Sequence, residues 1–236
     1  MYRVTAHSRA VFAACLAASF YFLSNQSAQA QGPDRWAGFY VSGHGGLNVP
    51  RDTDSTFLSG SLPGGVGTIR TEADNGYRVG GALGYFFNRY LSSEVELSYT
   101  RNNLDTLNVV SSGGAASLEG KGNATTLSGM VNGYLSLPMD KIRPYVGGGI
   151  GVTRVSANGA GFAGASGETD DSDNAFTWQL MAGVGFQLAP NLELGARYRF
   201  QHINDYKLFN SDGDEQRVRE SEGHSFEVTL TWAFPK

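Results

Sequence analysis

The sequence predicts an all-β chain, an eight-stranded antiparallel up-and-down transmembrane β-barrel, and three observations predict it. Apolar residues recur at every second position in eight separate segments, the period of a strand with two unlike faces. The connections between those segments alternate between short and long. The faces opposite the apolar ones hold mostly Gly, Ser, Thr, Asn and Gln, with Lys nearly absent. A soluble sandwich buries its apolar faces and solvates the others with dense charge. Polar faces this poor in charge belong on the inside of a barrel whose apolar faces meet lipid.

The first residues stand apart from this pattern. Arg3, His7 and Arg9 make a basic start, and Ala10 to Leu23 is an apolar run shorter than the roughly 20 residues that span a bilayer. Ser27-Ala28-Gln29-Ala30 then supplies a small-x-small ending, so residues 1–30 read as a signal peptide cut after Ala30. Residues 31–236 remain as the barrel domain. The single cysteine, Cys15, leaves with the signal, and an exported chain without cysteine is not a disulfide-stapled mini-domain. The mature chain carries 16 basic and 22 acidic side chains. That excess of acid argues against a nucleic-acid partner. After Ala30 no apolar stretch reaches the length of a transmembrane helix.

The segments follow in order. Trp36 to Val49 places Phe39, Val41 and Leu47 on one face and Tyr40, Ser42, His44 and Asn48 on the other. Tyr77 to Asn88 sets Tyr77, Val79, Leu83, Tyr85 and Phe87 against Arg78, Ala82 and glycines. Leu91 to Thr100 opposes Leu91, Val95, Leu97 and Tyr99 to Ser92, Glu94, Glu96 and Ser98. Ala124 to Leu135 carries Leu127, Val131 and Leu135 outward, and Tyr145 to Thr153 carries Val146, Ile150 and Val152. Phe176 to Gln187 and Leu192 to Gln201 repeat the pattern. The eighth segment is Ser225 to Phe234, whose stripe of Phe226, Val228, Leu230, Trp232 and Phe234 faces lipid. Aromatic residues gather near both ends of the segments, as two headgroup-level girdles do.

Phe86 to Tyr90, Ser136 to Ile142 and Ala189 to Asn191 are short turns. Pro50 to Asn75, Asn102 to Gly122, Ser156 to Asn174 and Asn204 to Gly223 are expected to be long polar loops. Short turns belong in the periplasm and long loops outside the cell.

The eight strands, the first strand "WAGFYVSGHGGLNV", the segments "LSSEVELSYT", "RPYVGGGIGVTRV" and "LELGARYRF", and the closing "GHSFEVTLTWAF" together resemble the small Gram-negative outer-membrane β-barrel family. Within it the likeness is to opacity-type, porin-like surface antigens and OmpA-like eight-stranded barrels. The resemblance implies a bacterial outer-membrane location, with outer-membrane lipid and, through the C-terminal strand, the barrel-assembly machinery as partners. It also implies a surface-antigen, adhesion or envelope-integrity role. Family members typically end on an aromatic residue, whereas Pro235 and Lys236 follow Phe234 here. A peptidoglycan-binding segment like that of the longer OmpA-type chains is not expected.

Candidate chemistry sits on the inward face. Arg78, Glu94, Glu96, Glu193, Arg197, Arg199 and Glu227, with His44, point into a lumen that eight strands leave just wide enough for side chains. Mutual pairing is the expectation, because an unpaired buried charge is costly; a narrow path for ions or small solutes is the alternative. The segment "YRFQHIND" is similar to the part of the lipid A deacylase barrels that carries a catalytic His-x-Ser. His202 matches the base, but Asn204 stands where the serine nucleophile would be, and an amide cannot replace that hydroxyl. No enzyme activity, cofactor or metal is therefore expected. The acidic runs Glu168 to Asp173 and Asp212 to Glu215 lack the ordered spacing of a Ca²⁺ loop and read as solvated charge. No loop ligand can be named from residues this generic.

Overall fold

A computed structural model of the chain describes residues 37–51, 53–58, 66–111, 114–162, 169–209, 215–218 and 220–234. The expected signal peptide lies outside them. Twelve strands are present: β1 (Gly38–Pro50), β2 (Thr53–Leu58), β3 (Val66–Ala73), β4 (Gly76–Phe86), β5 (Leu91–Ser111), β6 (Gly114–Ser136), β7 (Ile142–Phe162), β8 (Thr169–Ala189), β9 (Leu192–Ile203), β10 (Tyr206–Phe209), β11 (Glu215–Val218) and β12 (Ser221–Ala233). Eight of them close an antiparallel barrel in the order β1, β4, β5, β6, β7, β8, β9, β12. The last pairs back to the first from Tyr40 opposite Ala233 to Pro50 opposite Gly223. Closure leaves the barrel without a free edge, the condition for spanning lipid with strands.

The alternation has the expected facing. Phe226, Val228, Leu230, Trp232 and Phe234 are all exposed, while Ser225 just before them and Glu227 and Thr229 between them are buried. The short turns also hold. Asn88 Oδ1 accepts from the backbone N–H of Tyr90 at 2.8 Å and of Leu91 at 2.9 Å, closing the first of them. Asp140 takes φ of 48° in the second, a left-handed position that Asp tolerates better than most residues. Outward rings meet near this end, Phe39 edge-on to Tyr85 at 5.0 Å across β1 and β4, and Phe87 edge-on to Tyr85 at 5.4 Å along the chain. Near the other end Trp178 lies 5.5 Å from Phe200, and Tyr198 5.5 Å from Phe226.

One expectation is corrected. The four long connections are largely strand rather than loop. β5, β6, β7 and β8 run 21 to 23 residues, about twice the 9–11 that cross a bilayer. Register shifts at Asn103/Thr106, Lys121/Asn123 and Ala157/Ala160 mark the level where these strands leave the closed barrel and continue beyond it, bulges being common at barrel rims. On the side where β1, β4, β9 and β12 are short, the wall is carried on by β3 on β5, β2 on β3, β11 on β2 and β10 on β11. Lys207 N–H, on β10, donates to Asp173 Oδ2 on β8 at 2.9 Å and ties the two sides together. The physical reason is continuity: strands already in register at the rim satisfy their backbone N–H and C=O groups by extending the ladder, whatever the polarity of their side chains.

Inward glycines make the lumen possible. The ring of Tyr40 lies where a Cβ on Gly84 would sit, Tyr134 occupies that place at Gly147, and Tyr145 does so at Gly183. Gly147→Ala would bring its Cβ to 2.3 Å from the Tyr134 ring and should cost about 1–3 kcal/mol as an overpacked core. Gly133→Ala on the outward face has nothing within 4 Å of its Cβ and should be close to neutral. Urea midpoints of the refolded proteins compare the two; equal shifts would contradict this account of the glycines.

Candidate functional site

The lumen is packed by a charge network in tiers. At its centre Arg199, 0% exposed, donates from Nη1 to Glu96 Oε1 at 2.7 Å and to Gln179 Oε1 at 2.6 Å. Its Nε lies 2.9 Å from Glu227 Oε1, a close ion pair although too oblique for a hydrogen bond. Arg197 Nε donates to the other oxygen of Glu227 at 2.7 Å. Arg78, 2% exposed, donates to Ser98 Oγ at 3.1 Å and to Gln201 Oε1, with its Nε 3.9 Å from Glu227. Glu94 accepts from the hydroxyls of Tyr40 at 3.0 Å and Tyr134 at 2.7 Å and from Asn132 Nδ2 at 3.1 Å. Asn132 also donates to Glu96 Oε2 at 2.7 Å, and its own Oδ1 accepts from Gln179 Nε2 at 2.7 Å. His44 Nε2 stands 3.6 Å from Glu96 Oε1, too long for a hydrogen bond.

All seven charges expected inside are there, but Glu193 belongs to a separate tier near the short turns. It is gripped at both oxygens by Arg143, Nε to Oε2 at 2.8 Å and Nη2 to Oε1 at 2.6 Å. The Arg143 guanidinium also lies over the Phe86 ring at 5.2 Å and donates to Ser136 Oγ at 3.0 Å. Arg143 adds to the expected inward residues, because β7 begins at Ile142, ahead of the alternation that starts at Tyr145. Tyr145 was assigned inward, and Arg143 shares its parity, so the signal was present. Its addition gives four Arg against four Glu among the buried charges of the described residues. A lumen of balanced charge is what closely paired ions need, since removing charge from water must be offset by close partners.

Toward the short turns a cavity of about 40 Å³ lies beside Tyr40, His44, Glu94 and Arg197. That is room for about three waters at roughly 10–15 Å³ each, and the Arg143–Glu193 pair forms part of its wall. Above the central tier Ser128 and Thr177 both bond to Thr153 Oγ1, at 2.9 and 2.8 Å. Asn48 donates to Asn102 at 3.0 Å and accepts from Ser225 at 2.8 Å. An apolar layer of Val155, Ala175 and Ile203, with Tyr206 packed against it, lies at the end of the closed barrel remote from the short turns. Burial pushes the Tyr206 phenol up to about 12.

The residues compared with the deacylase site lie elsewhere. His202 is stacked on Trp178 at 5.2 Å on the outer face of the wall, 3.4 Å from Glu222, and Asn204 is exposed. Among the described residues no group of acidic, His or Cys side chains is arranged to hold a metal. Most side chains of the two acidic runs lie outside the described residues.

Comparison with known proteins agrees with this architecture. The family model of the outer membrane protein beta-barrel domain matches residues 13–234. An uncharacterised protein of Brucella abortus is 27% identical over 162 residues, covering 61% of this chain. The chain spans only 57% of the length of that relative. Among solved structures, Neisserial surface protein A superposes with a TM-score of 0.52 at 20% identity, over 84% of this chain and 98% of its own. OprG of Pseudomonas aeruginosa gives 0.56 at 14% identity, over 84% and 97%. At such identities the likeness is one of fold.

Proposed function

Since the chain belongs to the outer membrane β-barrel domain family, we propose that it is a non-catalytic barrel that holds a β-structured surface beyond the outer membrane, with a surface-antigen or adhesion role. The observation that carries this reading is the asymmetry of the barrel. Its short turns are a few residues long, whereas β5 to β8 and the four added strands raise the wall well past the rim at the other end. Function in a protein of this build belongs to the raised wall and to the loops that join its strands. The paired lumen supports display over conduction, because no tier leaves an uncompensated charge to attract an ion and the cavity near the short turns holds only a few waters. Neisserial surface protein A, by its name a surface protein, fits the same reading.

Orientation is the testable part. Protease added to intact cells should cut within Asn204 to Gly223, in the raised wall, and spare the turn at Ala189 to Asn191. Cleavage at the turn with the raised wall left whole would invert the topology and withdraw the surface role.

A further inference from the structure

The outward face of the barrel is not evenly covered. A furrow of about 300 Å³ runs diagonally across β4 to β8, at the lower end of the range of small-molecule sites, roughly 300–1,000 Å³. Register explains it. One row of outward residues across the wall is Gly81, Leu97, Gly129, Val152 and Phe176. The row nearer the short turns is Leu83, Val95, Val131 and Ile150. Gly81 and Gly129 have no side chain to fill their row, so the furrow has a bare backbone floor and aliphatic banks. It is continuous with the exposed apolar band around it, in which Leu83, Leu97, Ile150 and Phe176 are all about half exposed or more.

A second observation lies at the end of the furrow nearer the raised wall. The next outward row is Val79, Tyr99, Leu127 and Arg154, and the row after it is Tyr77, Arg101, Thr125 and Ser156. Two exposed arginines therefore stand just past the furrow, on β5 and β7, with β6 between them. They lie two strands apart and two residues apart in level, which sets their Cα atoms about 12 Å from one another, a gap that two long guanidinium side chains can close on a phosphate between them. Arg154 is held in place by donating to Ser172 Oγ at 2.8 Å. The carboxylate next to Ser172, Asp173, belongs to the opposite face and accepts from Lys207 N–H. An apolar trough that ends under two guanidinium groups has the polarity of one molecule, a lipid with an anionic head.

We propose that this furrow is a docking site for a single anionic phospholipid of the surrounding leaflet. One acyl chain lies along Gly81 and Gly129, and the phosphate sits between Arg101 and Arg154. The assignment to the outer leaflet rests on the orientation proposed above; the site itself does not. A diester phosphate is met by guanidinium donors better than by a lysine, and Arg is the residue at both positions.

The test is native mass spectrometry of the refolded protein in non-ionic detergent, with palmitoyl-oleoyl phosphatidylglycerol and phosphatidylcholine at equal mole fraction. One retained lipid is expected, with phosphatidylglycerol favoured by about tenfold. The preference should fall to parity in Arg101→Ala/Arg154→Ala, two exposed positions whose loss leaves the barrel folded. Gly129→Leu, which fills the floor, should lower retention of both lipids, with a heat-modifiable gel shift confirming its fold. Equal retention of the two lipids by the unaltered protein would overturn the proposal, as would retention that neither variant changes. A dimer that replaces bound lipid and is lost in Gly129→Leu would also overturn it, giving the furrow to a second copy of the chain.

Discussion

Arg199→Ala should destabilise the barrel by about 3–5 kcal/mol, the usual result of removing one partner from a buried ion pair. Arg199 is 0% exposed and serves two carboxylates and an amide at once. Without it Glu227 keeps Arg197, at 2.6 Å. Glu96 keeps only the Asn132 amide, at 2.7 Å, and a distant His44. A carboxylate at 1% exposure cannot recover its hydration there, so the cost is desolvation left unmatched. The double change Arg199→Met/Glu96→Gln should recover most of the loss, because replacing a buried pair with well-packed residues of lower charge is often near neutral. Urea unfolding in micelles reads both. A loss below about 1 kcal/mol for the single variant would fit an exposed, hydrated pair instead and would mean that water fills the lumen.

The second large effect is on the outer face. Val228 is 59% exposed, pairs with Gly45 on β1 and Ala196 on β9, and lies between the ring of Phe226 and that of Trp232. Val228→Arg puts a cation near mid-depth and should cost about 2–4 kcal/mol. Val49 lies on the same face, one outward position from Arg51 and opposite His224. Val49→Arg at that level should cost about 0–1 kcal/mol, since the penalty falls toward the interface. Folding yields and denaturant midpoints in lipid vesicles separate the two, and a common cost at both depths would mean that the face is not in lipid.

How much of this was open to reading from residues alone depends on the range of the interaction. Facing is local: one residue decides the parity of the next, so Phe226 to Phe234 and Glu94/Glu96 could be placed in or out from spacing alone. Closure followed from eight such segments with alternating connections. Partners were not open to reading, because Arg199 and Glu96 are 103 positions apart and meet only through the stagger of a closed sheet. Arg143 sits one residue inside the start of β7, and strand ends are where alternation is shortest and carries least signal. The raised wall is hidden for a different reason. Stretches such as Leu104 to Gly122 hold apolar residues (Leu107, Val109, Val110 and Leu118) without the sustained alternation that marks a strand, and β3, β2, β11 and β10 form by extending a ladder that starts in the barrel. Two-sided polar strands carry little signal of their own.

A lumen sealed by its own ion pairs passes no current, and planar-bilayer conductance of the refolded mature chain tests this most directly. Correctly folded protein, verified by its heat-modifiable gel shift, should give a silent bilayer. Discrete current steps that change in size on Arg197→Ala would contradict it, because they would make the network of Arg197, Glu227 and Glu94 the lining of a path rather than its plug.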